Sequence, residues 1–134
     1  MKPFLRIEPV WQDPDMVEIK VAAASALFAG ATKVYYTYEA LKKFAGKLDG
    51  FPRSHSDRQG FDTGKAQANS FVALLLSCRD SAGHVGVNVE IRNEGESVHL
   101  EFTTQAAAID RFRIALVEMC RKESGTVELE GTDA

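Results

Sequence analysis

The sequence is short of most features that would identify a chemical reaction. It holds only two cysteines, Cys78 and Cys120. Neither stands in a CxxC pair or at metal-ligand spacing, so the chain offers no disulfide framework and no metal site. Both read as buried thiols, because free cysteine packs as a small hydrophobe. Basic residues are not in excess: 16 Lys and Arg against 19 Asp and Glu leave a formal charge of −3. That balance argues against a nucleic-acid partner, which would ask for a basic stripe. Long apolar runs are missing too. Uncharged stretches such as that between Lys20 and Lys33 fall short of the ~20 residues that a spanning helix needs. The opening Met1-Lys2-Pro3-Phe4 leads directly into alternating residues and shows no leader pattern. These absences predict a cytoplasmic chain with no cofactor, no metal, no membrane and no nucleic acid.

What is present is a globular composition, 45% hydrophobic and 26% charged over 134 residues, which suits one domain. Leu5, Ile7 and Trp11 alternate with Arg6, Glu8 and Val10 as a strand, and Pro9 marks that strand as an edge or as bulged. After the turn at Asp13-Pro14-Asp15, Val17, Ile19 and Val21 form a second strand running into Ala22–Ala26. Lys33–Tyr36 reads as a third. Thr37 then suits an N-cap, its hydroxyl accepting from an orphan amide. Leu41, Phe44, Ala45 and Leu48 follow at helical spacing, and Gly50 and Pro52 end the helix.

Residues 52–70 are polar and read as a long loop, mobile or functional. Its Gly60-Phe61-Asp62-Thr63-Gly64-Lys65 fails the phosphate-loop spacing, with three residues between the glycines and Ala66 after the lysine. The apolar run Phe71–Leu76 is expected at the centre of a sheet. Val85, Val87, Val89 and Ile91 alternate with polar neighbours, turn at Glu94-Gly95, and return as Val98, Leu100 and Phe102. A two-residue turn there sets Glu90 opposite His99 and Asn88 opposite Glu101. Thr103 or Thr104 caps a last helix with Ile109, Phe112, Leu116 and Met119 inward, ended by Gly125.

The expected fold is therefore α+β, a mostly antiparallel six-stranded sheet with two helices packed on one face, in the order βββα-βββα. The second sheet face must be polar or covered by a partner. The order is compatible with a duplicated βββα unit, each helix following a Tyr/Phe–Thr step (Tyr36-Thr37, Phe102-Thr103), although side-chain identity between the halves is slight. Residues 1–125 form the single domain, and the acidic stretch 126–134, with Glu128, Glu130 and Asp133, reads as a loose tail.

No catalytic set emerges. Glu90, His99, Asn88 and Glu101 share one open sheet face, which reads first as a solvated face and otherwise as a contact surface. Arg53, His55, Arg58 and Lys65 make the loop locally basic, a second candidate contact. Asp80 and His84 could pair across a turn, so a ligand-binding or hydrolytic pocket using Asp80, His84 and His99 under the loop is an alternative. A homodimer with a purely structural role is another. Of the aromatics Trp11, Tyr35, Tyr36 and Tyr38, any left exposed would be candidate interface anchors.

Two local patterns resemble the bacterial wall-associated-protein type of toxin immunity protein and related uncharacterised bacterial families. Asp80-Ser81-Ala82-Gly83-His84-Val85-Gly86-Val87 is similar to that family's D-x-x-G-H-[IV]-x-V turn and strand. Phe102-Thr103-Thr104-Gln105, leading into Ile109 and Leu116, is similar to its step before the last helix, and Leu48-Asp49-Gly50 matches a helix ending in L-x-G. The segment 52–70 departs from the pattern, as does the lack of an acidic residue at Thr103 or Thr104. The resemblance implies a small, non-enzymatic protein that neutralises a toxin by binding it; the open sheet face (Asn88, Glu90, His99, Glu101) and the loop residues Arg53, His55 and Arg58 are the candidate contacts.

Overall fold

A computed structural model describes residues 2–64 and 69–132. It has ten elements: β1 (Phe4–Gln12), β2 (Val17–Ala24), β3 (Ala29–Tyr36), α1 (Tyr38–Lys47), β4 (Arg58–Asp62), β5 (Ser70–Cys78), β6 (His84–Asn93), β7 (Glu96–Gln105), α2 (Ala106–Lys122) and β8 (Val127–Glu130). They make two antiparallel four-stranded sheets, ordered β3-β2-β1-β8 and β4-β5-β6-β7, here called sheets A and B. The expected single six-stranded sheet is thus corrected to two sheets of four.

The correction comes from two short strands in segments whose polarity hid them. β4 lies inside the supposed loop 52–70 and carries one large apolar residue, Phe61, in Arg58-Gln59-Gly60-Phe61-Asp62. That ring packs against the core, 4.9 Å from Phe44 of α1 and 5.4 Å from Tyr36 of β3. β8 lies inside the supposed loose tail. Val127 and Leu129 are fully buried between Glu128 and Glu130, a strict alternation of only four residues. Burying each is worth about 1.5–3 kcal/mol. Thr104 Oγ1 donates to the Glu130 carbonyl at 2.7 Å, and the Thr132 amide donates to the Thr103 carbonyl at 2.8 Å. The two threonines expected to cap α2 therefore extend β7 and hold the strand after the helix. Gln105 takes the N-cap position without a side-chain bond. Asp133 lies outside the described residues, as does Lys65 of the loop.

Each half of the chain runs strand, strand, strand, helix, strand. The last strand of each half leaves its own three and pairs with the first strand of the other half, β4 on β5 and β8 on β1. The expected repeat of strands and helix is visible in this exchange. Both sheets turn their apolar faces to one core, which the helices complete. α1 packs on α2, α1 also meets β4, and α2 meets β7 and β8. Thr37 caps α1 as expected, accepting from the Ala40 amide at 3.0 Å, and Leu41, Phe44, Ala45 and Leu48 are buried. Ile109, Phe112, Leu116, Met119 and Cys120 are the buried stripe of α2.

The hairpin of β6 and β7 has the register the sequence predicts, Ile91 with Val98, Val89 with Leu100 and Val87 with Phe102. Glu94 and Gly95 both take positive φ, 56° and 92°, as a two-residue hairpin turn requires. β1 is interior rather than an edge, and it is bulged: Pro9 pairs with Ile19 and Trp11 with Glu18, leaving Val10 without a partner.

The close approach of strands makes a sharp comparison between two glycines. A Cβ on Gly60 would stand 2.1 Å from the Leu74 carbonyl oxygen, whereas one on Gly46, on the exposed side of α1, meets nothing within 4 Å. Gly60→Ala should lower unfolding stability by about 1–3 kcal/mol through forced backbone displacement. Gly46→Ala should raise it by about 0.5–1 kcal/mol, the helix cost of glycine. Urea denaturation of both variants checks the pair, and a neutral Gly60→Ala would refute the β4–β5 packing.

Candidate functional site

Because both sheets turn inward, two outer sheet faces remain open. On sheet B the register places Asn88 beside Glu101 and Glu90 beside His99, so the sequence assembled that face correctly. The geometry there is shallow. Glu90 has its carboxylate 3.7 Å from Arg92 and makes no ion pair with His99 among the described residues. A depression of about 260 Å³ is lined by Ala73, Leu75, Asn88, Glu90 and His99. Arg58 opens β4 and is exposed.

The loop residues Arg53 and His55 lie elsewhere. They border a cavity of about 320 Å³ with Cys78, Asp80, Ser81 and Gly83. Asp80 and His84 do pair, Nδ1 to Oδ2 at 2.7 Å. The Asp80 carboxyl is held below its ordinary range first by that bond, and further by the backbone amides of Ala82 and His84. His99 is not part of this group. His84 pairs with Gln105, six residues along β7 from His99, or ~20 Å at 3.4 Å per residue. The expected triad of Asp80, His84 and His99 is not assembled.

The more populated face is the outer side of sheet A, and it exists because of the bulge. Inserting Val10 shifts the phase of β1, so Trp11 leaves the side of Leu5 and Ile7 and joins the side of Arg6 and Glu8. The sequence reading set Trp11 with Leu5 and Ile7; the bulge corrects it. Trp11 then lies in a row with Glu18 and Tyr35. Its ring stands edge-on to Tyr35 at 6.2 Å, and the two residues remain 51% and 53% exposed. One row along, Lys20 pairs with Lys33. Among the described residues neither lysine forms an ion pair. At the opposite end the cations are engaged: Arg6 Nε meets Glu128 at 3.0 Å and Lys2 meets Glu130 at 3.2 Å. At one end the cations of the face are thus paired, and at the other two lysines without a close ion pair among the described residues stand beside two open aromatic rings, with Glu8 opposite Lys20 and Glu18 in the aromatic row. The proline gave the available signal, since a residue without an amide hydrogen in an interior strand favours a bulge.

A cleft of about 380 Å³ continues this face over the edge of β3, lined by Glu18, Lys20, Ala31, Thr32, Lys33, Ser70 and Asn93. No group of three His, Cys, Asp or Glu side chains among the described residues is arranged to hold a metal. None of the described helices is long and apolar enough to cross a membrane.

No family model matches the sequence, and no curated protein matches it. The resemblance to the toxin immunity families rests on its short motifs alone. Two solved structures are similar. The crystal structure of WHY3 from Arabidopsis thaliana aligns at 8% identity with a TM-score of 0.47, covering 87% of this chain and 78% of that one. The structure of the plant transcriptional regulator PBF-2 aligns at 10% identity with a TM-score of 0.48, covering 87% and 72%. Against the expected immunity-type protein binder of bacterial kind without a nucleic-acid partner, the similar structures are plant proteins, one of them a transcriptional regulator.

Trp11 is the single tryptophan of the chain, so its emission reports on the outer face directly. It should emit as a solvent-facing indole and be readily quenched by acrylamide. Tyr35→Ala should increase that quenching while lowering stability by no more than about 0.5–1.5 kcal/mol, the worth of an aromatic pair. A blue-shifted, unquenched emission would place Trp11 back in the core and remove the site.

Proposed function

We propose that this chain is a non-enzymatic binding domain for single-stranded nucleic acid, with the outer face of sheet A as its platform. The observation that carries the reading is the exposed Trp11–Tyr35 pair one row from Lys20 and Lys33. Unpaired bases have flat apolar faces that stack on aromatic rings, and their phosphates need cations within one nucleotide step. Successive residues on one face of a strand are ~7 Å apart, so the two rows can engage a base and its neighbouring phosphate together. Duplexes do not suit this face, because their bases are already stacked and paired.

The formal charge of −3 sets the expected strength rather than the class of ligand. It weakens long-range attraction, so binding depends on local contacts and is modest. Two lysine–phosphate contacts give a salt slope of about −1.4 for a single strand, at ~0.7 per contact. Both cysteines are free thiols, which suits a reducing, cytoplasmic compartment.

Titration with a short single-stranded oligonucleotide, read by Trp11 fluorescence, tests this. Quenching should saturate, and Lys20→Glu with Lys33→Glu should abolish most binding and flatten the salt dependence. Trp11→Ala should weaken binding by about 1–3 kcal/mol, the usual cost of one lost stack, measured by anisotropy of a labelled strand. Saturable binding that is indifferent to both substitutions would refute the assignment of this face.

A further inference from the structure

We propose that the cleft at the edge of β3 accepts one nucleotide of the bound strand and selects cytosine and adenine, which carry an amino group where thymine carries a carbonyl, over thymine. The inference rests on the platform reading above and adds the specificity of that site.

The cleft begins where the platform ends. Lys20 and Lys33 border both, and Tyr35 is two residues beyond Lys33 on the same strand face. A strand stacked on Trp11 and Tyr35 with its phosphates at the lysines therefore delivers its next nucleotide to the cleft. At about 380 Å³ the space lies near the lower end of the ~300–1,000 Å³ usual for small-ligand sites, a size for one nucleotide rather than several.

The polar groups around it define the base. Glu18 is half-buried and, among the described residues, its carboxylate has neither an ion-pair nor a hydrogen-bond partner. A carboxylate only accepts hydrogen bonds, so it favours an amino group and repels a carbonyl oxygen. Cytosine and adenine present an amino group at the position where thymine presents a carbonyl. The Asn93 amide, which both donates and accepts, and the Ser70 hydroxyl line the same cleft and complement the ring nitrogen beside that amino group. Thr32 lines it as well, with a buried hydroxyl that has no partner among the described residues. A platform alone would be tolerant of sequence, because every base has a stacking face. Glu18 in the cleft removes that tolerance at one position.

The test compares oligo-dC with oligo-dT of equal length, two pyrimidine strands, by Trp11 fluorescence titration of the intact chain. The wild-type chain should bind oligo-dC roughly fivefold or more tightly than oligo-dT, the discrimination of one well-placed base contact. Glu18→Gln should erase or invert that ratio while leaving oligo-dT affinity no weaker. Asn93→Ala should reduce the ratio with the same quenching at saturation. Equal affinities for both strands in the wild-type chain, or a dC preference that survives Glu18→Gln, would overturn the inference while leaving the platform intact. Absence of quenching by either strand would overturn the platform and the cleft together.

Discussion

The two sheets bury their apolar faces in a single shared core, and every other property of the surface depends on that sharing. Leu5, Ile7, Ile19 and Val21 from sheet A and Val72, Leu74, Val87 and Val89 from sheet B are all nearly or fully inaccessible. The helices complete the same cluster rather than shielding one side of one sheet. Sheets that spend their apolar side in this way leave polar outer faces, which is the arrangement expected when antiparallel sheets pack on one side only. Function has to be sought on those outer faces and at the seams between them. At one such seam β3 lies against sheet B, and Gly30 lets it approach so closely that a Cβ would reach within 2.7 Å of a Val98 methyl.

Within that frame a single inserted residue decides what sheet A displays. Without the bulge, Trp11 would follow Leu5 and Ile7 into the core, and Tyr35 would stand alone beside Glu18. With it, an indole joins the outer row and contacts the phenol edge-on. β8 pairs with β1 only from Phe4 to Ile7, so among the described residues the stretch around Pro9 has no strand partner on that side. Its missing amide hydrogen costs no ladder bond there. The short length of β8 and the position of the proline are therefore matched features.

How much of this was legible in the residues depended on how long each pattern ran. The β6–β7 hairpin could be read to the individual pair, because eight alternating positions and a Glu-Gly turn leave one register. α1 was equally clear, with Thr37, the Leu41–Leu48 stripe and Gly50 agreeing on its limits. β4 and β8 were not, since one phenylalanine in five residues and two aliphatics in four give too little period to separate from loop. Their polar flanks, Arg58 and Asp62 or Glu128 and Glu130, are the outer-face residues of real strands. Trp11 was misplaced for a related reason: strict alternation was carried through a proline that breaks it. Thr103 and Thr104 looked like helix caps because the strand that uses them follows seventeen helical residues later. Of the site itself, the facing of Glu90 and His99 could be derived, whereas the meeting of Lys20, Lys33, Tyr35 and Trp11 depended on the bulge.

The crossed fourth strands also constrain how the chain is made. A ribosome delivers β1, β2 and β3 first, yet one side of β1 has no partner until β8 has emerged more than 120 residues later, since Phe4 pairs with Glu130. β4 in turn waits for β5. During synthesis the first half therefore carries an open strand edge and an incomplete apolar face, the kind of surface that invites pairing with another nascent chain. Such distant closure also places the last native contacts late and slows folding relative to a fold of local hairpins. A chaperone holding the first sixty residues would find its natural release signal in the arrival of the VELE strand.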